Sequence, residues 1–320
     1  MSKDRTIGSS SRITDHGSPG DGSSRTIALI GANGMLASAV KRLLPAGYQL
    51  HTYDLPDFDI TNRAQVFSLK DSAPDIILNC AAYTNVDGCE SHNELAMRVN
   101  GEGPGLLAGL AKEIDAVLVH VSTDFVFAGD KKTPYREDDP TGPLSVYGKS
   151  KLLGEQRIIQ SGLEKFFIVR TSWLYGLGGN NFVETMIRLA KERTELKVVD
   201  DQRGTPTWTD DLAEAIFKLL ALVDTSHPSP LTPHRPYGIY HFSGEGECSW
   251  YQFAVEIIDQ ARKFEGLKVE NILPIPTEGY PLPAQRPKYS VMSKEKYKAA
   301  TGIQVPDWRE SLRKYFENRT

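Results

Sequence analysis

The residues that decide the fold are Thr26–Ala37, TIALIGANGMLA. A short apolar run, Thr26–Ile30, gives way to Gly31-Ala-Asn-Gly34, and Leu36, Val40, Leu43 and Leu44 then recur at helical spacing. That order predicts a strand, a tight turn and a helix. Glycines at 31 and 34 let the backbone turn sharply and approach a pyrophosphate, while the helix N-terminus offers unpaired N–H groups and a positive dipole end. Ala37 stands where a dinucleotide fingerprint often has a third glycine. Asp54 closes the next strand-like run, YQLHTYD (48–54). A carboxylate there can accept hydrogen bonds from an adenosine ribose and repel a 2′-phosphate, favouring NADH over NADPH; the plain alternative is a turn aspartate beside Pro56. Asp59-Ile60 follows, either near an adenine or as a helix start capped by Asp59 or Thr61.

Outward from this unit the pattern repeats. A weak helix covers Ala64–Lys70, a third strand DIILNCA (75–81), a helix Leu106–Lys112, a fourth strand AVLVHVS (116–122), a helix from near Ser145, and a fifth strand FFIVRTS (166–172). Apolar strands without polar alternation, separated by helices, imply an α/β fold of Rossmann type: a doubly wound parallel sheet covered on both faces. After Trp173 the rhythm loosens into a smaller, irregular lobe. Helices are expected at Asn181–Glu192, Asp210–Leu222 and Trp250–Arg262, with Pro-rich stretches at 226–236 and 274–287. The expected organisation is a disordered Ser/Gly-rich leader (1–24), a dinucleotide-binding domain (25–175) and a C-terminal lobe (176–320) that binds substrate. Val198–Val199 and Gly238–Phe242 are the segments expected to return to the main sheet.

Bulk properties narrow the function class. Net charge is −4, from 37 basic and 41 acidic residues, which leaves no broad basic surface for nucleic acid or anionic lipid. No apolar run reaches the roughly 20 residues of a membrane span. The leader lacks the apolar core of a signal peptide, and the three cysteines, at 80, 89 and 248, have no ligand spacing. A cytoplasmic enzyme without a metal is expected.

The chemistry is carried by a second motif. Of thirteen tyrosines, Tyr147 alone has a lysine four residues on, Lys151. On a helix the two share one face, and a neighbouring ammonium should lower the phenol's pKa toward working pH, making it a general acid for a carbonyl oxygen. One such pair is expected by chance. Its place after four strand–helix units headed by a dinucleotide turn makes it credible. Ser122-Thr123-Asp124 ends the fourth strand at the same crevice, where a hydroxyl can polarise a substrate carbonyl, although a strand-end turn would also favour these residues. Ala81-Ala82-Tyr83-Thr84 ends the third strand with small residues that leave room for a ligand or simply pack.

Gly31-x-x-Gly34, Ser122-Thr123-Asp124 and Tyr147-x-x-x-Lys151 resemble the extended short-chain dehydrogenases. NCAAYTNVDGCE (79–90), PLSVYGKSK (143–151), RTSWLYG (170–176), NNFVETMIRLAKER (180–193), DQRGTPTW (201–208) and PLPAQRP (281–287) narrow the resemblance to the dTDP-4-dehydrorhamnose reductase family, from about Thr26 to the C-terminus. The resemblance implies reduction of the 4-keto group of a dTDP-6-deoxy-hexulose by NADPH or NADH. It implies Thr123, Tyr147 and Lys151 as catalytic residues. Gly34, Met35, Leu36, Asp54, Asp59, Ile60, Ala82, Tyr83, Thr84, Tyr147 and Lys151 would bind cofactor, joined by Gly31 from the turn itself. Thr123, Asp124 and Trp173 would contact the sugar nucleotide. Some family members dimerise through Mg2+ held by glutamates; here those positions are Ala39 and Arg309, so a monomer or a differently built homodimer is expected. Related dehydratases place Asp-Glu after the threonine, whereas Asp124 is followed here by Phe125. That argues against elimination and leaves an epimerase, or a non-catalytic regulatory subunit of methionine adenosyltransferase, as rivals.

Overall fold

The computed structural model describes residues 24–224 and 236–319. The expected leader and most of the 226–236 connection lie outside the described residues. Strands β1 (Arg25–Ile30), β2 (Tyr48–Tyr53), β3 (Ile76–Asn79), β4 (Val117–Thr123) and β5 (Phe166–Thr171) form one sheet with the later strand Gly238–His241. The spatial order is 238–241, β5, β4, β3, β1, β2, and every pairing is parallel. Chain order reverses between β1 and β3, so a crevice opens beyond the carboxyl ends of these strands.

The buried strands explain the two-sided cover. Along β1, Ile27 and Leu29 point to one face, packed with Leu212 and Ile216 of the helix Thr209–Asp224. Ala28 and Ile30 point to the other, packed with Leu107 and Leu110 of the helix Gly103–Glu113. Period-2 alternation thus feeds two apolar layers, one on each face of the sheet. A third cluster, with Tyr175, Val183, Phe253, Trp308 and Leu312, fills the C-terminal lobe.

Two local expectations need correction. Glu195–Val199 does not return to the main sheet; it pairs in parallel with Asn271–Ile275 as a separate ribbon. Its period-2 burial, with Leu196 and Val198 covered by the lobe's own helices, gave the same apolar signature as a sheet strand. The helix after β2 is capped by Asn62, whose side chain accepts from the Ala64 and Gln65 N–H groups, and not by Asp59 or Thr61. Asp59 instead accepts from Thr61 N–H at 2.8 Å and so closes the turn before the cap.

Candidate active site

The glycine turn is built as its sequence demands. Gly31 has φ +78°, and a Cβ there would lie 2.6 Å from the Ala81 nitrogen. Only glycine allows β1 to turn this close to the end of β3. Gly34 is different: its φ is −75°, and a Cβ would meet only the Gly31 carbonyl, at 3.4 Å. The protein itself tolerates a side chain at 34, so the space saved there lies on the open side of the turn. Gly34 caps the helix Met35–Arg42 without a side-chain acceptor, and no acidic residue occupies the first turn. The helix's first N–H groups therefore have no side-chain acceptor of their own, the setting a pyrophosphate needs. Asp54 flanks them. Its Oδ2 accepts from Asn33 N–H at 2.7 Å and its Oδ1 from Leu55 N–H at 2.8 Å, so the carboxylate is held still at the end of β2 with lone pairs to spare.

The chain after β3 runs through Ala82, Tyr83 and Thr84 along the same crevice. It is held by Asn100, a buried residue in a π-helical turn (Met97–Glu102). Asn100 Oδ1 accepts from Tyr83 N–H at 2.8 Å, and its Nδ2 donates to the Tyr83 carbonyl and the Ser150 hydroxyl, both at 3.0 Å. Sequence reasoning missed Asn100. The available signal was an asparagine just before Gly101 and Gly103, glycines that let a neighbouring helix come close.

Tyr147 and Lys151 project from the helix Val146–Gln160, which Ser145 caps through the Gly148 N–H. Gly148 admits the helix to the site: a Cβ there would lie 2.3 Å from the Phe125 carbonyl oxygen. The Tyr147 hydroxyl lies beside the Thr123 side chain, and its ring meets Phe125 edge-on at 5.5 Å. Lys151 is buried, and its Nζ donates to the Val121 carbonyl at 2.7 Å. Burial first, opposed by Glu155 and Cys80, brings the lysine down to about 8. The expectation of a lowered phenol pKa is not met in the protein alone. Desolvation in the cleft pushes Tyr147 up, and only the Thr123 side chain pulls it down. The proton therefore sits on the phenol at neutral pH, which suits an acid for reduction.

Thr123 donates to Asp124 Oδ1 at 3.1 Å and accepts from Phe125 N–H at 3.2 Å. Asp124 is buried, its Oδ2 makes no hydrogen bond, and burial, opposed by the neighbouring Ser290 and Thr123 hydroxyls, raises the carboxyl to about 6. Beside this group opens a cleft of 1420 Å³. Phe125, Trp173, Trp250 and Arg286 line it, as do Arg188, Arg193 and Lys197. Trp173, at φ +47°, is stacked on Trp250 with centroids 3.6 Å apart. Trp250 carried no sequence signal beyond an aromatic at the start of a helix.

Gly204 backs this wall, since a Cβ would lie 2.6 Å from Trp173 Cε2. Gly204→Ala is expected to push the indole off Trp250 at a stability cost of about 1–3 kcal/mol. Loss of the near-ultraviolet circular dichroism couplet of the stacked pair is the measurement; an unchanged couplet contradicts the close contact.

The structure thus places Gly31, Gly34, Met35 and Leu36 just after β1, Asp54 after β2, Ala82, Tyr83 and Thr84 after β3, Thr123 and Asp124 at the end of β4 and Trp173 after β5, with Lys151, on the same helix as Tyr147, bonded to β4. Ile60 is buried against Gly103, and Asp59 beside it follows the turn that Phe58 N–H closes on the Asp54 carbonyl at 2.9 Å. Ala39 is buried in the first helix, and the Arg309 guanidinium lies over the Trp308 ring at 4.3 Å. Among the described residues no helix is long and apolar enough to cross a membrane.

Comparison with known proteins agrees with this geometry. The family model described as RmlD substrate binding domain matches residues 25–320. A dTDP-4-dehydrorhamnose reductase of Burkholderia thailandensis is 41% identical over 291 residues, spanning 89% of this chain and 96% of that protein. The spore coat polysaccharide biosynthesis protein SpsK of Bacillus subtilis is 43% identical over 296 residues, spanning 92% and 98%. A solved structure of dTDP-4-dehydrorhamnose reductase from Bacillus anthracis, in complex with NADP, superposes with a TM-score of 0.84 at 40% identity, covering 92% of this chain and 99% of that one. With a match that begins at β1 and runs to the C-terminus, the chain belongs to the RmlD substrate-binding-domain family.

Proposed function

We propose that this protein reduces the 4-keto group of dTDP-4-dehydro-6-deoxy-L-mannose to give dTDP-L-rhamnose, with NADPH or NADH as the reductant. The observation that carries this reading is the meeting of Thr123, Tyr147 and Lys151 at the carboxyl ends of the strands. Phe125, close after Thr123 in the chain and against the Tyr147 ring, lines the aromatic cleft.

The residues present fit a dinucleotide. The space that a Cβ at Gly34 would fill, with the free N–H groups of Met35 and Leu36, takes a pyrophosphate. Asp54 would take the adenosine ribose, with Asp59 and Ile60 toward the adenine. Ala82, Tyr83 and Thr84 would line its path, and Tyr147 and Lys151 would hold the second ribose. When bound, the nicotinamide would supply the hydride for C4 of the sugar. Thr123 orients the carbonyl, and Tyr147 donates its proton to the oxygen as negative charge develops there. The positive charge of Lys151 stabilises the phenolate left behind. Asp124, buried with one unpaired oxygen, accepts a hydrogen bond from a sugar hydroxyl. Trp173 covers the apolar face of the deoxysugar, and Arg193 and Lys197 on the cleft wall face the diphosphate.

The direct test follows NAD(P)H oxidation with the 4-keto-6-deoxy-L-sugar nucleotide generated enzymatically in situ. Stoichiometric oxidation supports the reading, and no oxidation by folded, cofactor-binding protein overturns it. A second expectation concerns the cofactor. Asp54→Asn removes the charge that ribose hydroxyls donate to, so the Kd for NADH should rise roughly tenfold, the equivalent of ~1.4 kcal/mol, with a smaller change for NADPH. Fluorescence titration of the two cofactors checks it.

A further inference from the structure

Behind Lys151 lies a polar chain that the proposed mechanism does not use. His120, fully buried in the middle of β4, contacts Asn79 through Nδ1 at 2.9 Å and Lys151 Nζ through Nε2 at 3.3 Å. The direction of the chain is set from its far end. The Ala81 backbone N–H can only donate, and it lies 3.1 Å from Asn79 Oδ1. The amide orientation of Asn79 is therefore fixed, with its Nδ2 hydrogens turned to His120. Nδ1 must accept, which places the imidazole's one proton on Nε2. An imidazolium would set donor against donor at Nδ1, and burial in addition holds the ring's pKa well below its usual value.

The Nε2–H faces the lysine nitrogen. An ammonium has no lone pair to receive it, whereas a neutral amine has one and still keeps hydrogens for the Val121 carbonyl, 2.7 Å away. We propose that Asn79 and His120 are positioning residues of the reductase site: they hold the histidine as its Nε2–H tautomer, which favours the neutral amine of Lys151 and so lowers the pH at which the alkaline limb of the reaction begins. The other groups facing Lys151 do not reverse this. Glu155, one turn along the same helix, favours the charged form, but its carboxylate is engaged by Arg170 and Ser122. Cys80, at the end of β3, is pushed up to about 12 by burial and stays a neutral thiol. Tyr147, one turn earlier, also keeps its proton.

The sign follows directly. A donor aimed at the nitrogen lowers the lysine's pKa, and reversing it raises the pKa. Asn79→Asp is the reversing change, nearly equal in volume. Its carboxylate accepts from both Ala81 N–H and Nδ1–H, leaving Nε2 with a lone pair for the ammonium.

The inference rests on the proposed reductase activity, and the experiment separates the two. In NADP+-loaded protein with 15N-labelled histidine, long-range 1H–15N correlation should show neutral His120 protonated at Nε2 between pH 6 and 9. Nδ1 protonation or an imidazolium overturns the proposal, whatever the activity. In Asn79→Asp the tautomer should switch, and the alkaline limb of kcat/KM should move up by about one pH unit or more, a roughly tenfold gain relative to wild type beyond the limb. A limb that stays in place, or one that moves without a tautomer switch, also overturns it. If the variant does not fold, the wild-type tautomer decides alone. Absence of turnover in the wild type with a clear Nε2–H signal would instead indict the reductase reading.

Discussion

Tyr147→Phe is expected to lower kcat/KM for keto-sugar reduction by roughly 10²–10⁴-fold while leaving cofactor affinity near wild type. The magnitude is that of losing a positioned general acid, about 3–5 kcal/mol of barrier at ~1.4 kcal/mol per factor of ten. The substitution is clean because it deletes one atom. The ring that meets Phe125 edge-on at 5.5 Å remains, so the helix Val146–Gln160 keeps its seat on the Thr123–Phe125 turn. Lys151 keeps its own bond to the Val121 carbonyl, so it still reaches the cofactor ribose. The Thr123 hydroxyl loses a neighbour but retains Asp124 and the Phe125 N–H. Steady-state NADPH oxidation measures the loss, and a fluorescence titration shows that binding is intact. Near-normal turnover would remove Tyr147 as the acid and, with it, the mechanism.

What could be read from the sequence is what depends on short spacings. Gly31 and Gly34, the four-residue step from Tyr147 to Lys151, and Ser122-Thr123-Asp124 at a strand end all act through neighbours in the chain. Strand-end positions converge once the sheet is known to be parallel, because parallel strands put every carboxyl end on one edge. The rest rests on contacts across long separations. Trp173 meets Trp250, and Arg286 clasps Asp87 at 2.7 Å. Neither pair has a local signature. His120 was hidden for another reason: it sits inside the apolar run AVLVHVS, where one polar residue does not break the strand pattern. Glu155 and Arg170 were equally silent. Each reads as an ordinary charge on a helix or at a strand end, and only the fold buries them against each other.

That buried pair carries the other large effect. Arg170 donates to Glu155 Oε1 through Nε at 3.0 Å and to Oε2 through Nη2 at 2.7 Å, and both side chains are almost wholly excluded from solvent. Ser122 adds a further hydrogen bond to Oε1 at 2.5 Å, and the guanidinium lies over the Phe127 ring at 5.1 Å. Arg170→Met keeps the packing volume but strands the carboxylate without a counter-charge. The expected cost is about 3–5 kcal/mol, a large part of the ~5–15 kcal/mol that separates a folded domain from its unfolded chain. A lowered urea midpoint measures it. Adding Glu155→Leu should recover most of the loss, because removing both charges also removes the desolvation penalty; continued instability of the double variant would argue that the pair itself, not the stranded charge, holds β5 to the catalytic helix. The double variant also bears on the chemistry. Glu155 is the carboxylate that favours the charged form of Lys151. Without it the lysine loses its proton more readily, so the alkaline limb of kcat/KM should move to lower pH, opposite to the shift expected of Asn79→Asp. Two buried groups on either side of one amine then set its charge by pulling in opposite directions.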